Sequence, residues 1–371
     1  MNRIIILLGS ILFQAILFAQ KGDTVTKYLD INIELTDKAN MAYPAVAVKD
    51  GGHWFLYSLY PDTSLLLKIY FRDKALSVKD GPYTIYYPHN IKSQEGYFRE
   101  NEAFGPWQFW YEDGQIRDSG RLENNSMTGV WKKWFQNGKP ESVGHFSKPD
   151  ISFPQATKEN PRRPKDKSIL LKTEKISFIR NGPWISWYEN GRLKDSGDYF
   201  YEQKEGPWKY FYEDGKEQST GIYKNDFFTG EWTWYHENGN LSTRETYANN
   251  KLTGLSCFDE NGQYTGDLCN IIKMPGPLGN FSDLDTYIQD STVWNEQMLE
   301  QARSWQTDPV VKVKFTITKE GKLTHFFILR SPGDPFRKEA LRLFQGLTNW
   351  SPAISHNRPS DYTMEYDIQF H

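Results

Sequence analysis

The chain has 371 residues, enough for two or three domains, and its 38% hydrophobic and 25% charged content is that of a folded protein. A formal net charge of −3 supplies no electrostatic footprint for nucleic acid, which is bound largely by neutralising its phosphates, so nucleic acid is set aside as a partner. Aromatic residues make up 16% of the chain, and flat rings favour strands over helices, so the predicted class is mainly β.

Residues 1–20 place Arg3 ahead of an apolar run from Ile4 to Phe18, broken only by Gly9, Ser10 and Gln14, with the small Ala19 behind it. This reads as a secretory signal peptide cleaved near Ala19; the alternative is a retained inner-membrane anchor, although a spanning helix wants roughly 20 apolar residues. The mature protein is then expected in the periplasm or cell envelope, with membrane contact left open. Residues 21–79 carry "HWFLYSLY" and "SLLLKIYF", which predict strands of an N-terminal β region that extends or caps the sheet that follows.

From residue 80 one phrase recurs. Copies begin at Gly81, Gly105, Gly129, Gly182, Gly206, Gly230 and, degraded, at Gly254, with steps of 24 residues apart from one of 53. The second position after the glycine holds Tyr83, Trp107, Trp131, Trp184, Trp208 and Trp232, and the fifth holds Tyr86, Trp110, Trp134, Trp187, Phe211 and Tyr235. Strand side chains alternate faces, so the two sets point to opposite sides and both faces of the sheet carry aromatic stripes. Asp113-Gly114, Asn137-Gly138, Asn190-Gly191, Asp214-Gly215 and Asn238-Gly239 suit the positive φ angles of tight hairpin turns. Each copy therefore predicts a hairpin, and the series predicts a long antiparallel meander of repeated β-hairpins.

The phrase resembles the bacterial variant of the membrane occupation and recognition nexus (MORN) repeat over residues 80–266. The 53-residue step departs from that pattern: four prolines between 145 and 176 argue against a central strand, so a missing or distorted hairpin is expected there, and "RRPK" (162–165) reads as a solvated loop. The last copy has lost both rings, as a capping unit would. Glu112, Glu189, Glu213 and Glu237 recur before the turns and read as turn chemistry rather than as an acid/base pair. Cys257 and Cys269, twelve positions apart, are either a disulfide or two packed thiols; without a His cluster they do not make a zinc site.

After residue 273 the pattern changes. Asp283 or Ser282 caps a short helix with Leu284, Tyr287 and Ile288 on one face, and a second places Trp294, Met298, Leu299 and Ala302 similarly. In "VVKVKFTIT" (310–318), Val311, Val313, Phe315 and Ile317 share a covered face. "LTHFFILRS" follows a Gly turn, and a helix opened by Asp334 and Pro335 carries an apolar stripe of Phe336, Ala340, Leu343, Phe344 and Leu347. The closing strand alternates Tyr362, Met364, Tyr366, Ile368 and Phe370 inward, giving a small α+β region of order ββαβ.

"VKVKFTITKEGKL", "KEALRLF", "NWSPA" and the closing strand together resemble the C-terminal domain of the TonB family over 274–371. That resemblance implies a protein partner, an outer-membrane transporter of the TonB-dependent kind or another envelope protein, whose extended segment adds to a sheet edge through main-chain hydrogen bonds. The edge that takes it is either the last strand, with Tyr362, Met364, Tyr366, Ile368 and Phe370, or the strand opposite. The seven histidines are scattered, and no HExxH, GxSxG or phosphate-loop spacing occurs, so no catalytic residue, metal or cofactor is expected. The expected function is a non-catalytic periplasmic interaction or scaffold protein linked to outer-membrane transport. The alternative is a membrane-anchored TonB-type energy transducer, and a third reading has the aromatic sheet bind lipid or glycan.

Overall fold

A computed structural model describes residues 23–147, 179–277, 283–303, 309–347 and 350–370. The signal-peptide reading (1–20), the "RRPK" stretch and nearly all of the expected insertion lie outside the described residues. By compactness the chain divides into two units, Met1–Thr229 and Gly230–His371.

In the first unit, β1 (Thr24–Leu29), β2 (Leu35–Thr36), β3 (Tyr43–Asp50), β4 (His53–Leu59) and β5 (Leu65–Phe71) pair antiparallel in the order β2-β1-β3-β4-β5. Their alternation buries Leu29, Ala47, Trp54, Leu56, Leu67 and Ile69 in one cluster. β5 then pairs with β6 (Lys79–Tyr87), so the N-terminal strands extend the repeat sheet. The meander continues through β7 (Ile91–Arg99), β8 (Glu102–Trp110), β9 (Ile116–Glu123), β10 (Ser126–Trp134), β11 (Pro140–Ser147), β12 (Ile179–Trp187), β13 (Leu193–Phe200), β14 (Gln203–Phe211) and β15 (Glu217–Lys224), each antiparallel to the one before.

No hairpin is lost at the long step. Ser142 opposes Ser186 and Gly144 opposes Trp184, so β11 and β12 pair as neighbouring repeats do. The extra residues enter where other copies have a two-residue turn. This corrects the expectation of a missing hairpin; the four prolines lie outside the described residues.

The two kinds of turn are built differently. At the aromatic ends that carry Asp-Gly or Asn-Gly only the glycine takes positive φ, 85° at Gly114 and 79° at Gly138. The preceding Asp or Asn instead accepts the N–H two residues on, as Asp113 does from Gln115 at 3.0 Å and Asn190 from Arg192 at 2.8 Å. Apart from the first copy, which lacks a turn glycine and turns through His89 and Asn90 at 64° and 63°, the turns with two positive φ values lie at the other ends, at Glu100-Asn101, Asn124-Asn125, Tyr201-Glu202, Asn225-Asp226 and Asn249-Asn250. Their second residues fasten each repeat to the one before: Asn125 donates its N–H to the Ala103 carbonyl at 3.1 Å while its side chain accepts the Ala103 N–H at 2.7 Å. Asp226 does the same with Lys204.

The tryptophans supply the other fastening. The register of each pair shifts at the repeat glycine, whose positive φ bends the strand (Gly105 at 78°, Gly129 at 66°). The indole two positions later crosses a glycine of the preceding strand. A Cβ at Gly96, Gly120, Gly144 or Gly197 would lie only 2.2–2.3 Å from Trp107, Trp131, Trp184 or Trp208 respectively. Trp131 and Trp208 also donate to carbonyls of that strand, those of Arg121 at 3.2 Å and Asp198 at 3.1 Å.

The second unit opens inside β16 (Phe227–Tyr235) and continues with β17 (Leu241–Ala248), β18 (Lys251–Phe258) and the short β19 (Tyr264–Gly266), again antiparallel. A disulfide joins Cys257 on β18 to Cys269, and Cys257 is fully buried. After β20 (Ile272–Lys273) and β21 (Gly276–Pro277) come α1 (Leu284–Ser291), capped by Asp283, and α2 (Glu296–Ala302), capped by Asn295. On α2 Met298 is buried whereas Leu299, expected on the same face, is 45% exposed: consecutive helical side chains project about 100° apart, and it is Met298 that faces the core. The chain then forms β22 (Val310–Ile317), β23 (Leu323–Arg330), α3 (Asp334–Gly346), β24 (Trp350–Ser351), β25 (Ala353–Ser355), β26 (Arg358–Ser360) and β27 (Tyr362–Gln369). β22 is central in the order β23-β22-β27, and its inward row of Val311, Val313, Phe315 and Ile317 packs on Phe336, Ala340, Leu343 and Phe344 of α3. Two small pairings, β20-β25-β26 and β21-β24, complete the unit.

Candidate functional site

The C-terminal three-stranded sheet has two outer strands, and they differ in kind. β23 is irregular: its register against β22 shifts twice, and His325 takes a φ of 51°. β27 is regular, with eight consecutive residues from Tyr362 to Gln369 opposite Ile317 to Val310. Among the described residues β27 pairs with no strand on its other side. A long regular edge is a template for another strand, and bulges are a means of spoiling one, so β27 is the candidate.

The hydrogen-bond parity of β27 follows from one bond. Phe370 donates its N–H to the Pro309 carbonyl at 3.1 Å, which makes 309 and 370 a hydrogen-bonded pair. Such pairs alternate along an antiparallel ladder, so the backbone groups of Tyr362, Met364, Tyr366 and Ile368 face β22, and those of Thr363, Glu365, Asp367 and Gln369 face the open edge. Side chains follow the same alternation: Ile368 and Phe370 are buried, Met364 and Tyr366 pack against the core, and Thr363, Glu365, Asp367 and Gln369 are exposed. The residues expected on the edge strand therefore anchor it, while their neighbours present the free main-chain groups.

Polar contacts hold β27 in place. The Tyr366 phenol donates to Asp285 of α1, and burial together with that carboxylate raises it above the ordinary phenol value. Lys312 pairs with Glu365 at 3.0 Å, Thr316 and Thr363 share a hydrogen bond of 2.7 Å, and Asp361 accepts the Lys319 N–H at 2.7 Å. Behind the sheet, Glu339 is buried and accepts from Arg342 and from the Val293 N–H at 2.7 Å; these bonds overcome the cost of burial and hold its carboxyl below the usual range.

A second feature joins the last repeats to the TonB-like region within this unit. Fifteen positions after the repeat glycine, five copies have Gly96, Gly120, Gly144, Gly197 and Gly221; the sixth has Glu245. The next copy has Ser256 where the crossing tryptophan would stand. Glu245 is fully buried and accepts from Thr243 at 2.7 Å, Tyr247 at 2.7 Å and His356 Nδ1 at 2.8 Å. Burial alone would raise its carboxyl, but the His356 hydrogen bond and charge, with the two hydroxyl bonds, hold it below the ordinary value. The His356 ring stacks on Trp234 at 3.4 Å and 9°, so an imidazole lies where an indole would have been.

His356 and Asn357, with φ of 50° and 60°, form the turn between β25 and β26. Their N–H groups donate to the carbonyls of Ile271 and Asn270, beside the disulfide, at 2.7 and 2.9 Å. Arg358 donates to the Tyr235 carbonyl at 2.9 Å, Asn357 to that of Phe258 at 3.2 Å, and Ser242 to that of His356 at 3.0 Å. Sequence reasoning missed this hairpin. Its signals were the single glutamate in a glycine column and the "HN" pair before "RPS".

The repeat residues are placed as follows. Trp107, Trp131, Trp208 and Trp232 are buried and Trp184 partly so, all on the packed face. Trp110, Trp134 and Trp187 are half-buried on the other face near the turns, and Lys92 covers Trp110 at 5.5 Å. Gly105, Gly129, Gly182, Gly206 and Gly230 all take positive φ. Among the described residues no group of three or more His, Cys, Asp or Glu is placed to hold a metal ion.

Residues 300–371 match the family described as the Gram-negative bacterial TonB protein C-terminal, and residues 127–148, 204–225 and 228–249 match the MORN repeat variant. The chain thus joins MORN-type repeats to a TonB-type C-terminal region, which points to the cell envelope. No curated protein matches it. Among solved structures, one titled as the crystal structure of TcdB2-TccC3 is 8% identical, covers 62% of this chain and 16% of its own, and has a TM-score of 0.12; that likeness carries no argument. Among the described residues no helix is long and apolar enough to cross a membrane, which says nothing of β-barrels.

Proposed function

We propose that the protein is a non-catalytic envelope interaction protein that takes an extended segment of an outer-membrane or other envelope protein along the open edge of β27. The observation that carries this reading is the regular eight-residue ladder of β27, with the main-chain groups of Thr363, Glu365, Asp367 and Gln369 turned to the free side. Affinity of such a complex comes from main-chain hydrogen bonds, so the site needs no reactive side chain. The repeats act as a scaffold that presents the TonB-type region, and the signal peptide read in residues 1–20 would deliver the protein to the periplasm.

The test exploits the parity of the strand. Asp367→Pro removes an outward N–H and leaves the ladder to β22 intact, whereas Tyr366→Pro would remove a ladder bond and disturb the fold. Full-length protein mixed with solubilised envelope of its native host should capture an outer-membrane protein, and Asp367→Pro should lose it while retaining its circular dichroism. Capture of the same protein by a folded Asp367→Pro variant would sink strand addition at this edge.

A further inference from the structure

Asn-Gly pairs occur at Asn137, Asn181, Asn190, Asn238 and Asn261, and all but the last of these side chains are held by hydrogen bonds. In the turns at 137, 190 and 238 both ends of the side-chain amide are used. Its oxygen accepts the N–H two residues on, from Lys139 at 3.0 Å, Arg192 at 2.8 Å and Asn240 at 2.8 Å. Its nitrogen donates to the carbonyl of a glutamate at the next copy's turn, that of Glu189 at 3.0 Å, Glu213 at 2.8 Å and Glu260 at 2.6 Å. Asn181, inside β12, donates to the Ser147 hydroxyl at 3.0 Å. Asn261 differs on both counts. In its turn Asp259 takes over the accepting role, and its carboxylate receives the N–H groups of Asn261 and Gln263, each at 2.9 Å. No further copy of the repeat follows to offer a carbonyl, so among the described residues the exposed Asn261 amide has no hydrogen-bond partner.

We propose that Asn261 is a site of covalent self-modification, the first asparagine of the array to become aspartyl and isoaspartyl. The Gly262 main-chain nitrogen attacks Asn261 Cγ: the N–Cγ bond forms, the Cγ–Nδ2 bond breaks, and the amide leaves as ammonia with the proton of the attacking nitrogen. Water then opens the cyclic imide at either carbonyl. Glycine has no Cβ to shield its nitrogen from such an approach. The nucleophile is alike in the four turns, since Gly138, Gly191, Gly239 and Gly262 each donate their N–H to the carbonyl three residues before at 2.8–2.9 Å. The difference lies in the electrophile. At 137, 190 and 238 two hydrogen bonds must break before Cγ can turn onto the next nitrogen, and at 261 none. The product sets a new carboxylate beside Asp259 and Glu260 or adds a methylene to the main chain next to the Glu260 carbonyl. That carbonyl is the one that holds Asn238, so Asn238 reacts only after Asn261 has done so. This site is independent of the β27 edge.

The test is peptide mapping by mass spectrometry on the full chain held at mildly alkaline pH, where the attacking nitrogen loses its proton more readily. The mass gain of an amide turned to acid should appear at Asn261 at least about tenfold faster than at Asn137, Asn190 or Asn238, as the breaking of two ordinary hydrogen bonds implies. In guanidinium chloride the hydrogen bonds are gone and every site still has glycine next to it, so the lead of Asn261 should vanish. Asn261→Gln should remove the modification at 261 and hold Asn238 to the rate of Asn190. Its melting temperature should not move, because the side chain has no partner to lose. A folded protein in which Asn137, Asn190 or Asn238 reacts as fast as Asn261, or in which Asn261 stays intact, would overturn the assignment. So would a lead of Asn261 that persists undiminished in the unfolded chain, since local sequence would then account for it.

Discussion

At the scale of single residues the fold rests on places where a side chain is absent. Gly120 has no room for a Cβ, which would stand 2.2 Å from the Trp131 ring, whereas a Cβ at Gly52 would meet nothing within 4 Å. Gly120→Ala is expected to cost about 1–3 kcal/mol by overpacking and Gly52→Ala to stay within about 0.5 kcal/mol. Urea unfolding of the two variants checks this, and equal midpoints would contradict the packing described. Glu245 is the converse, a carboxylate placed where glycine is the rule. Its truncation leaves the His356 ring, stacked on Trp234, and the Thr243 and Tyr247 hydroxyls without their acceptor, so Glu245→Ala should destabilise by about 1–3 kcal/mol, as leaving hydrogen-bonding groups unpaired does.

At the scale of elements, the β25-β26 hairpin is held by three independent devices: the Glu245–His356 pair, the Arg358 and Asn357 bonds, and the segment 269–271 that the disulfide fixes to β18. Glu245 and Glu339 both have carboxyls lowered from an ordinary value of 4.5. Their contribution is complete above the unfolded value and is lost as pH falls through the lower folded ones. Thermal melts should therefore show stability falling as the pH drops below about 4.5, with a shallower slope in Glu245→Gln; identical slopes would show that the pair is not what titrates. Reducing the disulfide releases a loop of twelve positions and should cost about 3 kcal/mol, read as faster hydrogen exchange at the amides of His356 and Asn357.

The elements themselves were largely legible in the sequence. A period of 24 with rings in phase yields strands, and Val311, Val313, Phe315 and Ile317 fall inward as their alternation requires. What was not legible depends on partners far along the chain. Glu245 meets His356 at a separation of 111 residues, and nothing local to either announces the other. The parity of β27 was legible for its side chains but not for its backbone, because which N–H faces outward is set by the Phe370 bond to Pro309. The turn types were misplaced for a local reason: in Asp-Gly and Asn-Gly the acid or amide accepts a backbone N–H instead of turning its own φ positive.

At the scale of the whole molecule, the compact C-terminal unit begins at Gly230, well before the TonB-type match at residue 300. A fragment of residues 230–371 should melt in one cooperative transition, and a fragment of 274–371, stripped of Glu245, Trp234 and the disulfide, should melt lower and less sharply. Calorimetry on both decides it, and equal melting temperatures would show that the hairpin needs no repeat beneath it. The substitution of glutamate for glycine at position 245 also sets how such chains can vary in length. Every earlier copy offers the same glycine to the next tryptophan, so a hairpin can be duplicated or deleted upstream while the terminal copy keeps its histidine partner. Turn insertions such as the one between β11 and β12 aside, size differences among kindred proteins should then come in quanta of 24 residues, each worth two strand spacings or about 10 Å of sheet, and counting should stop at the first copy whose glycine has become an acid.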